Sequence, residues 1–295
     1  MSPKIVIAGG TGLIGAALAR RWRERGNEVV VLTRSTPRRR GDGIREVQWD
    51  GRTVGPWSEE LAGASINCVH TPENRRRILV TRLDPVRALG AAVRSCRVPP
   101  PVWVQSSAVG IYGNRREPCT EFTPVGGGFM AEVCREWEEV FATECPDAVR
   151  SVVFRLGVVL SRKGGAFPEL ERLARRFMGG RAGNGEQGIS WVLIDDVEEM
   201  FLRAVATPEM RGVYNACAPE PVSNAAFMRA LRETIGRAFG LPAPAFAIRL
   251  AAPRLLGTDP SLALEGQYVR PARLEAEGFR FKVPRLAGAL RALTQ

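Results

Sequence analysis

The opening residues show the clearest alternation of apolar and glycine-rich segments in the chain. Residues 4–8 form a short run rich in β-branched side chains, which is typical of a buried strand. Glycines follow at once, and from Ala16 the apolar residues recur at helical spacing. A second apolar run covers Val29–Leu32. The pattern therefore predicts a strand, a glycine turn, a helix and a second strand.

The same alternation continues beyond these elements. Thr71 and Pro72 are a good N-cap and a good first residue for a long helix. Further strands are predicted over 44–49, 102–107 and 151–160, and further helices over 58–62, 129–144 and 197–204. Alternating strands and helices predict a parallel sheet with right-handed crossovers. The expected fold class is α/β: a Rossmann-type, doubly wound parallel sheet, with a smaller C-terminal α/β lobe in the Pro- and Gly-punctuated remainder.

The glycines after the first strand have the spacing of a dinucleotide-binding turn. Gly10 would allow the tight turn, Gly12 would let the backbone approach a pyrophosphate, and Gly15 would let the helix pack close to the strand. An ordinary strand-turn-helix is the alternative, because the spacing alone is a weak signal. The cofactor-binding residues predicted here are Gly9, Gly10, Thr11, Gly12, Leu13 and Ile14.

The end of the second strand indicates which nucleotide is bound. An NAD site usually has an acidic residue there for the ribose 2′-hydroxyl, whereas this chain has Thr33, Arg34 and Ser35. A guanidinium can hold a 2′-phosphate by charge-assisted hydrogen bonds, and the serine hydroxyl can add a donor. The sequence therefore predicts NADP rather than NAD, unless Arg34 is merely solvated.

The predicted cofactor site suggests a division of the chain. Residues 1–165 are expected to form the NADP-binding Rossmann domain, to which residues 188–205 return. Residues 166–295 are expected to form the smaller substrate or lid lobe.

Charge and composition narrow the choice of partners. The 295 residues carry a formal charge of +11, almost all of it from arginines spread along the chain. Without an aromatic stacking run beside them, no nucleic acid is expected, and a small anionic cofactor or substrate is the simpler partner. No segment is apolar enough to span a bilayer, so no membrane partner is expected. The strand at the N-terminus and the scattered cysteines predict a cytoplasmic location with reduced thiols, while the oligomeric state stays open.

Motifs along the whole chain resemble those of one family. They are Gly9–Gly15, Asn74–Leu79 with Arg82, Gln105–Gly110 with Tyr112, Trp137-Glu138, Arg155–Leu160, Trp191 with Asp195-Asp196, Leu264–Gln267, Pro271–Leu274 and Gly278-Phe279. The chain resembles the extended or atypical branch of the short-chain dehydrogenase/reductase superfamily, and more narrowly the NAD(P)-binding epimerase family proteins. The resemblance implies a small family-specific domain near 246–293 and further cofactor contacts from Arg82, Ser106 and Val159.

One departure from the family pattern concerns the fourth strand. About ten residues, roughly a strand and its turn, are missing before the arginine-rich helix. Either Ser65–Val69 serves as that strand with a shortened return, or the sheet is damaged beside the cofactor. We expect the first, because a gap would leave buried backbone groups unpaired. Ile66, Cys68 and Val69 should then be buried, with Asn67 tolerated near the cofactor end.

A second departure concerns catalysis. The superfamily's Tyr-x-x-x-Lys pair should lie on the helix over 129–144, which has neither residue. Ser107 matches the superfamily's active-site Ser/Thr position and could either hydrogen-bond a substrate carbonyl or cap its strand. Tyr112 could act as an acid or line the pocket. Glu132 and Cys134, on the same helix, are expected to be a solvated residue and a core residue.

Other candidates for chemistry are weaker. Asp195 and Asp196 are expected to cap the helix that follows them. His70 is the sole histidine and has no nucleophile motif nearby, so neither a multi-histidine metal site nor a Ser-His-Asp triad is expected. Two classes of function remain. The first is an NADP-dependent oxidoreductase or epimerase acting on a small polar substrate, which could carry a nucleotide or a phosphate. The second is an NADPH-binding sensor or scaffold that has lost its catalytic activity.

Overall fold

The computed structural model of the protein describes residues 3–38, 40–69, 75–251 and 259–295, and the side chains of these residues except for 75–80. The chain divides into two compact units. The first comprises Met1–Ser107, Val133–Phe154 and Val197–Val213, and the second comprises Ala108–Glu132, Arg155–Asp196 and Tyr214–Gln295. Both units are built from segments that alternate along the sequence, and the boundary proposed at residue 165 stays a prediction.

Thirteen strands and ten α-helices make up the described elements. The strands are β1 (Lys4–Ala8), β2 (Glu28–Thr33), β3 (Arg45–Gln48), β4 (Ser65–Cys68), β5 (Val102–Ala108), β6 (Pro118–Cys119), β7 (Arg150–Leu156), β8 (Val158–Leu160), β9 (Gly188–Ile189), β10 (Trp191–Leu193), β11 (Gly212–Ala216), β12 (Val222–Ser223) and β13 (Tyr268–Val269). The helices are α1 (Leu13–Glu24), α2 (Arg75–Arg94), α3 (Phe129–Glu144), α4 (Ala166–Arg175), α5 (Ile194–Ala206), α6 (Asn224–Thr234), α7 (Ala245–Ala251), α8 (Ser261–Leu264), α9 (Ala272–Ala276) and α10 (Leu286–Thr294). Two 3₁₀ turns cover Pro56–Leu61 and Val109–Tyr112.

The central sheet has seven strands in the order β11-β7-β5-β4-β1-β2-β3. The pairings of β1 with β2 and β4, of β2 with β3, and of β4 with β5 are all parallel. The strand order steps outwards from β1 in both directions, as in doubly wound α/β folds. The predicted Rossmann-type fold is therefore confirmed.

The question of the fourth strand is settled by β4, which lies between β1 and β5. Ile66 and Cys68 are fully buried and Val69 is nearly so, as expected for a central strand covered on both faces. Asn67 pairs in register with Ile7 on one side and Val104 on the other. The alternative in which the sheet lacks a strand beside β1 is wrong.

One face of this sheet holds a hydrophobic core cluster of the first unit. Ile66, Cys68 and Trp103 belong to it, together with apolar residues of α2 and α3. The Trp103 and Phe141 rings meet edge to face, with centroids 5.1 Å apart. This packing fixes the carboxyl ends of β1, β4 and β5 relative to one another.

The ends of several elements differ from the sequence predictions, and two of the differences involve contacts with distant residues. The strand predicted over 151–160 is two strands, β7 and β8, separated at Gly157. A Cβ on Gly157 would lie 2.4 Å from the Ser190 carbonyl oxygen, so the break results from a tertiary contact that only glycine permits. Asp195 and Asp196 lie inside the first turn of α5 rather than before it, and the Asp196 carboxylate accepts the backbone N–H of Lys282.

The second unit has a separate core and three small two-stranded sheets. Its core is formed by apolar side chains of α4, α6 and α10 around Trp191. β10 pairs in parallel with β8, and β13 pairs in parallel with β6. A second α/β unit that contains the C-terminal residues is thus present, as predicted from the sequence.

Candidate functional site

The turn between β1 and α1 is stabilised by a local backbone hydrogen bond and by close packing. The Gly12 N–H donates to the Gly9 carbonyl at 3.1 Å. A Cβ on Gly15 would lie 2.4 Å from the Gly9 carbonyl oxygen and 2.6 Å from the Gly10 Cα. Gly15 therefore lets α1 pack directly against the turn, as its place in the motif predicts.

The residue that turns the chain is Gly9, and this corrects the role predicted for Gly10. Gly9 has a φ of 80°, a left-handed conformation that glycine adopts without strain, whereas Gly10 has no positive φ. A Cβ on Gly9 would also lie 1.8 Å from the Val69 carbonyl oxygen. Gly10 is required for a different reason, because its Cα faces Val31 and a Cβ would lie 2.6 Å from that side chain.

The N-terminus of α1 is suited to an anion. Its N-cap is Gly12, which has no side chain to accept the free N–H groups, and its first turn has no acidic residue. Thr11 is exposed, and Leu13 and Ile14 are partly exposed. The helix dipole and these N–H groups favour negative charge at this position. The turn therefore fits the pyrophosphate of a dinucleotide.

A cleft of about 250 Å³ opens at the carboxyl ends of β1, β2 and β3. Of the residues predicted to bind the cofactor, Gly9, Thr11, Gly12, Thr33 and Arg34 line it. Ser35 is adjacent to this set but does not line the cleft, and its backbone N–H donates to the Thr33 hydroxyl at 3.2 Å. The structure thus brings the glycine turn and Arg34 to one cleft within the first unit.

Two carboxylates line the same cleft, and both have partners. Asp50 accepts the backbone N–H groups of Arg52 and Thr53 and the Thr53 hydroxyl. These hydrogen bonds, led by that of the Thr53 side chain, lower the pKa of Asp50 to about 2. Asp84 forms an ion pair with Arg52 at 3.5 Å. Neither carboxylate follows β2, where an NAD site would place one.

Sequence reasoning missed more than half of the cleft lining. The residues it did not select are Leu32, Trp49, Asp50, Gly51, Arg52, Val69, Thr81, Asp84 and Pro85. The predicted strand order could have identified some of them. β3 follows β2 along the chain, and the carboxyl ends of neighbouring parallel strands lie at the same edge of a sheet. The segment after β3 is therefore expected beside the segment after β2.

The other predicted cofactor residues lie apart from this lining. Arg82 is buried on α2, with its guanidinium 4.6 Å from the centre of the Trp137 ring. Val159 lies on β8 in the second unit. His70 lies outside the described residues, and so do the side chains of the arginines at 75–77. The roles implied for Arg82 and Val159 stay predictions.

Buried polar groups without partners gather near the carboxyl ends of β4 and β5. Within the described chain, no hydrogen-bond partner is found for either amide atom of Asn67, for the Gln105 Oε1, or for the hydroxyls of Ser106 and Ser107. All four side chains are at least 97% buried. A buried polar atom without a partner is costly, and such atoms are often satisfied by a ligand or by ordered water. Capping by the Ser107 hydroxyl, its alternative role, is not observed.

Tyr112 is part of a buried hydrogen-bond network in the second unit. Its hydroxyl accepts a bond from Arg155 at 2.8 Å and donates one to the Asn215 Oδ1 at 2.8 Å. Burial raises the pKa of Tyr112 to about 12, although Arg155 partly opposes the shift. A phenol with this pKa is poorly matched to proton transfer near neutral pH. The network favours the pocket-lining alternative, while the catalytic role stays a prediction.

Comparison with known proteins supplies the family. The model of the NAD dependent epimerase/dehydratase family matches residues 5–217, and that of a domain of unknown function, DUF1731, matches residues 243–293. The chain belongs to the NAD dependent epimerase/dehydratase family. This epimerase-family chain is 33% identical to the chloroplastic SDR39U1 homolog of Arabidopsis thaliana, over 99% of this chain and 86% of that protein.

Solved structures agree with this membership. Human epimerase family protein SDR39U1, whose crystal structure was determined with NADPH, matches with a TM-score of 0.86 and 27% identity over 98% of both chains. A nucleoside-diphosphate sugar epimerase from Corynebacterium glutamicum matches with a TM-score of 0.80 and 31% identity, over 99% of this chain and 58% of that one.

Three further observations concern the helices of the epimerase-family chain. α3 has the sequence FMAEVCREWEEVFATE, which contains neither the tyrosine nor the lysine of the superfamily pair. On α3, Glu132 is exposed and Cys134 is buried, as expected. Among the helices that the structure describes, none has the length and apolar character needed to cross a membrane.

Proposed function

We propose that this protein binds NADPH in the cleft beside the β1–α1 turn and uses it as an oxidoreductase or epimerase on a small polar substrate. The observation that carries the proposal is the cleft itself, which joins the glycine turn to Arg34. At the end of β2 an arginine stands where NAD sites place a carboxylate, which favours the phosphorylated nucleotide. The NADPH in the human relative's structure supports the same choice.

A nucleoside-diphosphate sugar is the substrate class we favour. The Corynebacterium glutamicum relative is named as a nucleoside-diphosphate sugar epimerase. The strongly positive charge of this chain would also favour an anionic substrate. We assign Ser107 the role of hydrogen-bonding the substrate carbonyl or hydroxyl at which hydride is exchanged, since its buried hydroxyl has no partner within the described chain. With Tyr and Lys absent from α3, the acid or base that completes the reaction differs from the superfamily pair.

The test separates binding from chemistry. NADPH and NADH are titrated against the protein, and Gly12→Val should abolish binding of both without unfolding it, because a branched side chain would occupy the place of the pyrophosphate. The NADP⁺ complex, which can accept hydride from a sugar hydroxyl, is then incubated with UDP- and dTDP-sugars, and the NADPH complex with the corresponding 4-keto sugar nucleotides. Absorbance and product stereochemistry are followed in both. Ser107→Ala should retain NADPH affinity and lose turnover.

Two results would overturn the assignment. A folded Gly12→Val variant that still binds NADPH would remove the phosphate turn from the site. Tight NADPH binding with no turnover on any sugar nucleotide, and with Ser107→Ala indistinguishable from wild type, would leave an NADPH-binding sensor or scaffold as the function. A cytoplasmic location is part of the proposal and is checked by fractionating cells that produce the protein.

A further inference from the structure

An exposed apolar face occupies part of the second unit. It is formed by large side chains that are between 38% and 73% exposed, namely Phe177, Met178, Phe239, Leu241, Phe246, Leu250 and Leu262. We call this set the apolar face. Single exposed apolar side chains are ordinary on protein surfaces, but contiguous groups of this kind mark contact surfaces.

Backbone and ring contacts join the members of the face. The rings of Phe177 and Phe239 stack with centroids 4.9 Å apart, and the Leu241 N–H donates to the Phe177 carbonyl at 2.7 Å. A Cβ on Gly183 would lie 3.8 Å from the Ala245 Cβ of α7 and 3.1 Å from the Leu264 Cδ2 of α8. The segments that carry the face therefore run beside one another.

Two features show that the exposure is built into the local structure. α7 has the sequence AFAIRLA, with six apolar residues of seven, and none of them is buried. Phe177 follows α4 with a φ of 61°, and it is the one non-glycine residue with a positive φ in the described chain. Glycine adopts this conformation freely at the end of a helix, whereas an aromatic residue is strained there. A strained position thus carries a large ring that is not buried.

The charge of the two stretches that carry most of the face is positive, whereas residues 259–265, which carry Leu262, contain Asp259 and Glu265. Residues 176–183 contain two arginines, residues 237–251 contain two more, and neither stretch contains an acidic residue. The guanidinium of Arg237 lies 5.1 Å from the centre of the Phe177 ring, so cations and exposed rings share one surface. A second copy of the chain would bring arginines against arginines, which opposes self-association through this surface.

We propose that the apolar face docks on an anionic lipid surface. Exposed Phe and Leu side chains enter the boundary between headgroups and acyl chains, and the flanking arginines pair with lipid phosphates. The expectation of no membrane partner considered only segments long enough to span a bilayer, and this proposal goes beyond it. The inference is independent of the proposed enzymatic function.

Flotation with lipid vesicles tests the proposal. Vesicles of equal parts phosphatidylcholine and phosphatidylglycerol should carry the full-length protein, and vesicles of phosphatidylcholine alone should carry much less. Raising the salt from about 0.1 to about 0.5 M should weaken binding, because it screens the arginines. The double change Phe246→Ser with Leu250→Ser should lower the partition constant about tenfold or more, since it removes two exposed apolar groups from α7.

Matched variants distinguish the face from general stickiness. Phe122 is 81% exposed and outside the face, so Phe122→Ser should leave vesicle binding unchanged. Arg249→Ala should weaken binding about fivefold, whereas Arg291→Ala, an equal charge change at another exposed site on α10, should have a smaller effect. All variants should keep the wild-type melting temperature, because none of the changed residues is buried.

Three results would overturn the proposal. The first is that the wild-type protein does not float with the vesicles that contain phosphatidylglycerol. The second is that the Phe246→Ser, Leu250→Ser double variant floats as well as the wild-type protein. The wild-type protein could be a dimer that the double variant converts to a monomer, in which case the face is an interface between two copies of the chain.

Discussion

Replacing Arg34 by Ala should weaken NADPH binding while leaving NADH binding nearly unchanged. Arg34 follows Thr33 at the end of β2 and lines the same cleft as Gly9 and Gly12. The nucleotides differ only in the 2′-phosphate, so an interaction with that group alone is lost in the variant. Contacts with the shared pyrophosphate stay in place.

The expected size of the loss follows from the kind of bond. A hydrogen bond to a charged group contributes about 1.5 to 3 kcal/mol, which corresponds to a rise of about 10- to 150-fold in the Kd for NADPH. The Kd for NADH should change by less than about twofold, since an exposed charge lost at a distance contributes little. The effect on NADPH should shrink as salt is raised, because the cleft is open to solvent and its charges are screened.

Intrinsic fluorescence provides the assay, because Trp49 lines the cleft and should report on occupancy. Arg97→Ala is the matched control, since Arg97 is exposed and lies outside the cleft lining. It makes the same change in net charge and should alter neither Kd. Equal losses for both nucleotides in Arg34→Ala would show that Arg34 does not recognise the 2′-phosphate, and no loss for either would remove it from the site.

Three further predictions concern stability and the role of Tyr112. Asn67→Leu should raise the free energy of unfolding by about 1 to 3 kcal/mol in urea titrations, because it removes two buried amide atoms that have no partner within the described chain. Asn215→Leu should lower the free energy of unfolding, because the Asn215 amide accepts a hydrogen bond from Tyr112 and donates one to the Arg270 carbonyl. A destabilised Asn67→Leu variant would contradict the first prediction. Hydrogen bonding by Arg45 and Lys4 lowers the pKa of Glu60 to about 2, so its contribution is present above its ordinary pKa of 4.5 and is lost as pH falls towards 2. After allowance for partial exposure, Glu60 contributes about 1 to 2 kcal/mol to the free energy of unfolding. Glu60→Gln should therefore flatten the pH dependence of this free energy between pH 4.5 and about pH 2. An unchanged pH profile would refute the stabilising role of Glu60. Tyr112→Phe should lower stability by about 1 to 3 kcal/mol, since it removes the hydrogen bonds of the Tyr112 hydroxyl with Arg155 and Asn215. It should keep sugar-nucleotide turnover within about tenfold; a loss of 10²- to 10⁴-fold would instead identify a general acid.

Local patterns were sufficient for the elements around the cofactor turn. A short β-branched strand, closely spaced glycines and a helical repeat are all properties of neighbouring residues, so β1, the turn and α1 could be predicted. β4 was predicted on a different basis: the family resemblance implies a strand beside β1, and a gap there would leave buried backbone groups unpaired. Gly15 could be assigned its packing role from spacing alone, since the turn and the helix are adjacent in sequence.

Contacts between distant residues set the limit of prediction. The break at Gly157 depends on the Ser190 carbonyl, and nothing in the run of apolar residues from 151 to 160 indicates it. The network of Tyr112 joins residues that are 43 and 103 positions away. Trp49 and Asp84 reach the cleft because of strand order and helix placement, neither of which is visible in a local pattern.

The unpaired polar groups also bear on whether the protein has kept its chemistry. Asn67, Gln105, Ser106 and Ser107 together present five buried polar atoms without a partner within the described chain. Each costs about 1 to 3 kcal/mol if nothing satisfies it, and the total would approach the whole stability of a typical domain, about 5 to 15 kcal/mol. A protein that only binds NADPH at the glycine turn would not need these destabilising polar groups at β5, where alanine in place of Ser107 would give a more stable fold. The polar end of β5 is therefore better explained by a bound molecule that it must hydrogen-bond; if that molecule is a substrate rather than the cofactor, the protein is an enzyme and not a scaffold.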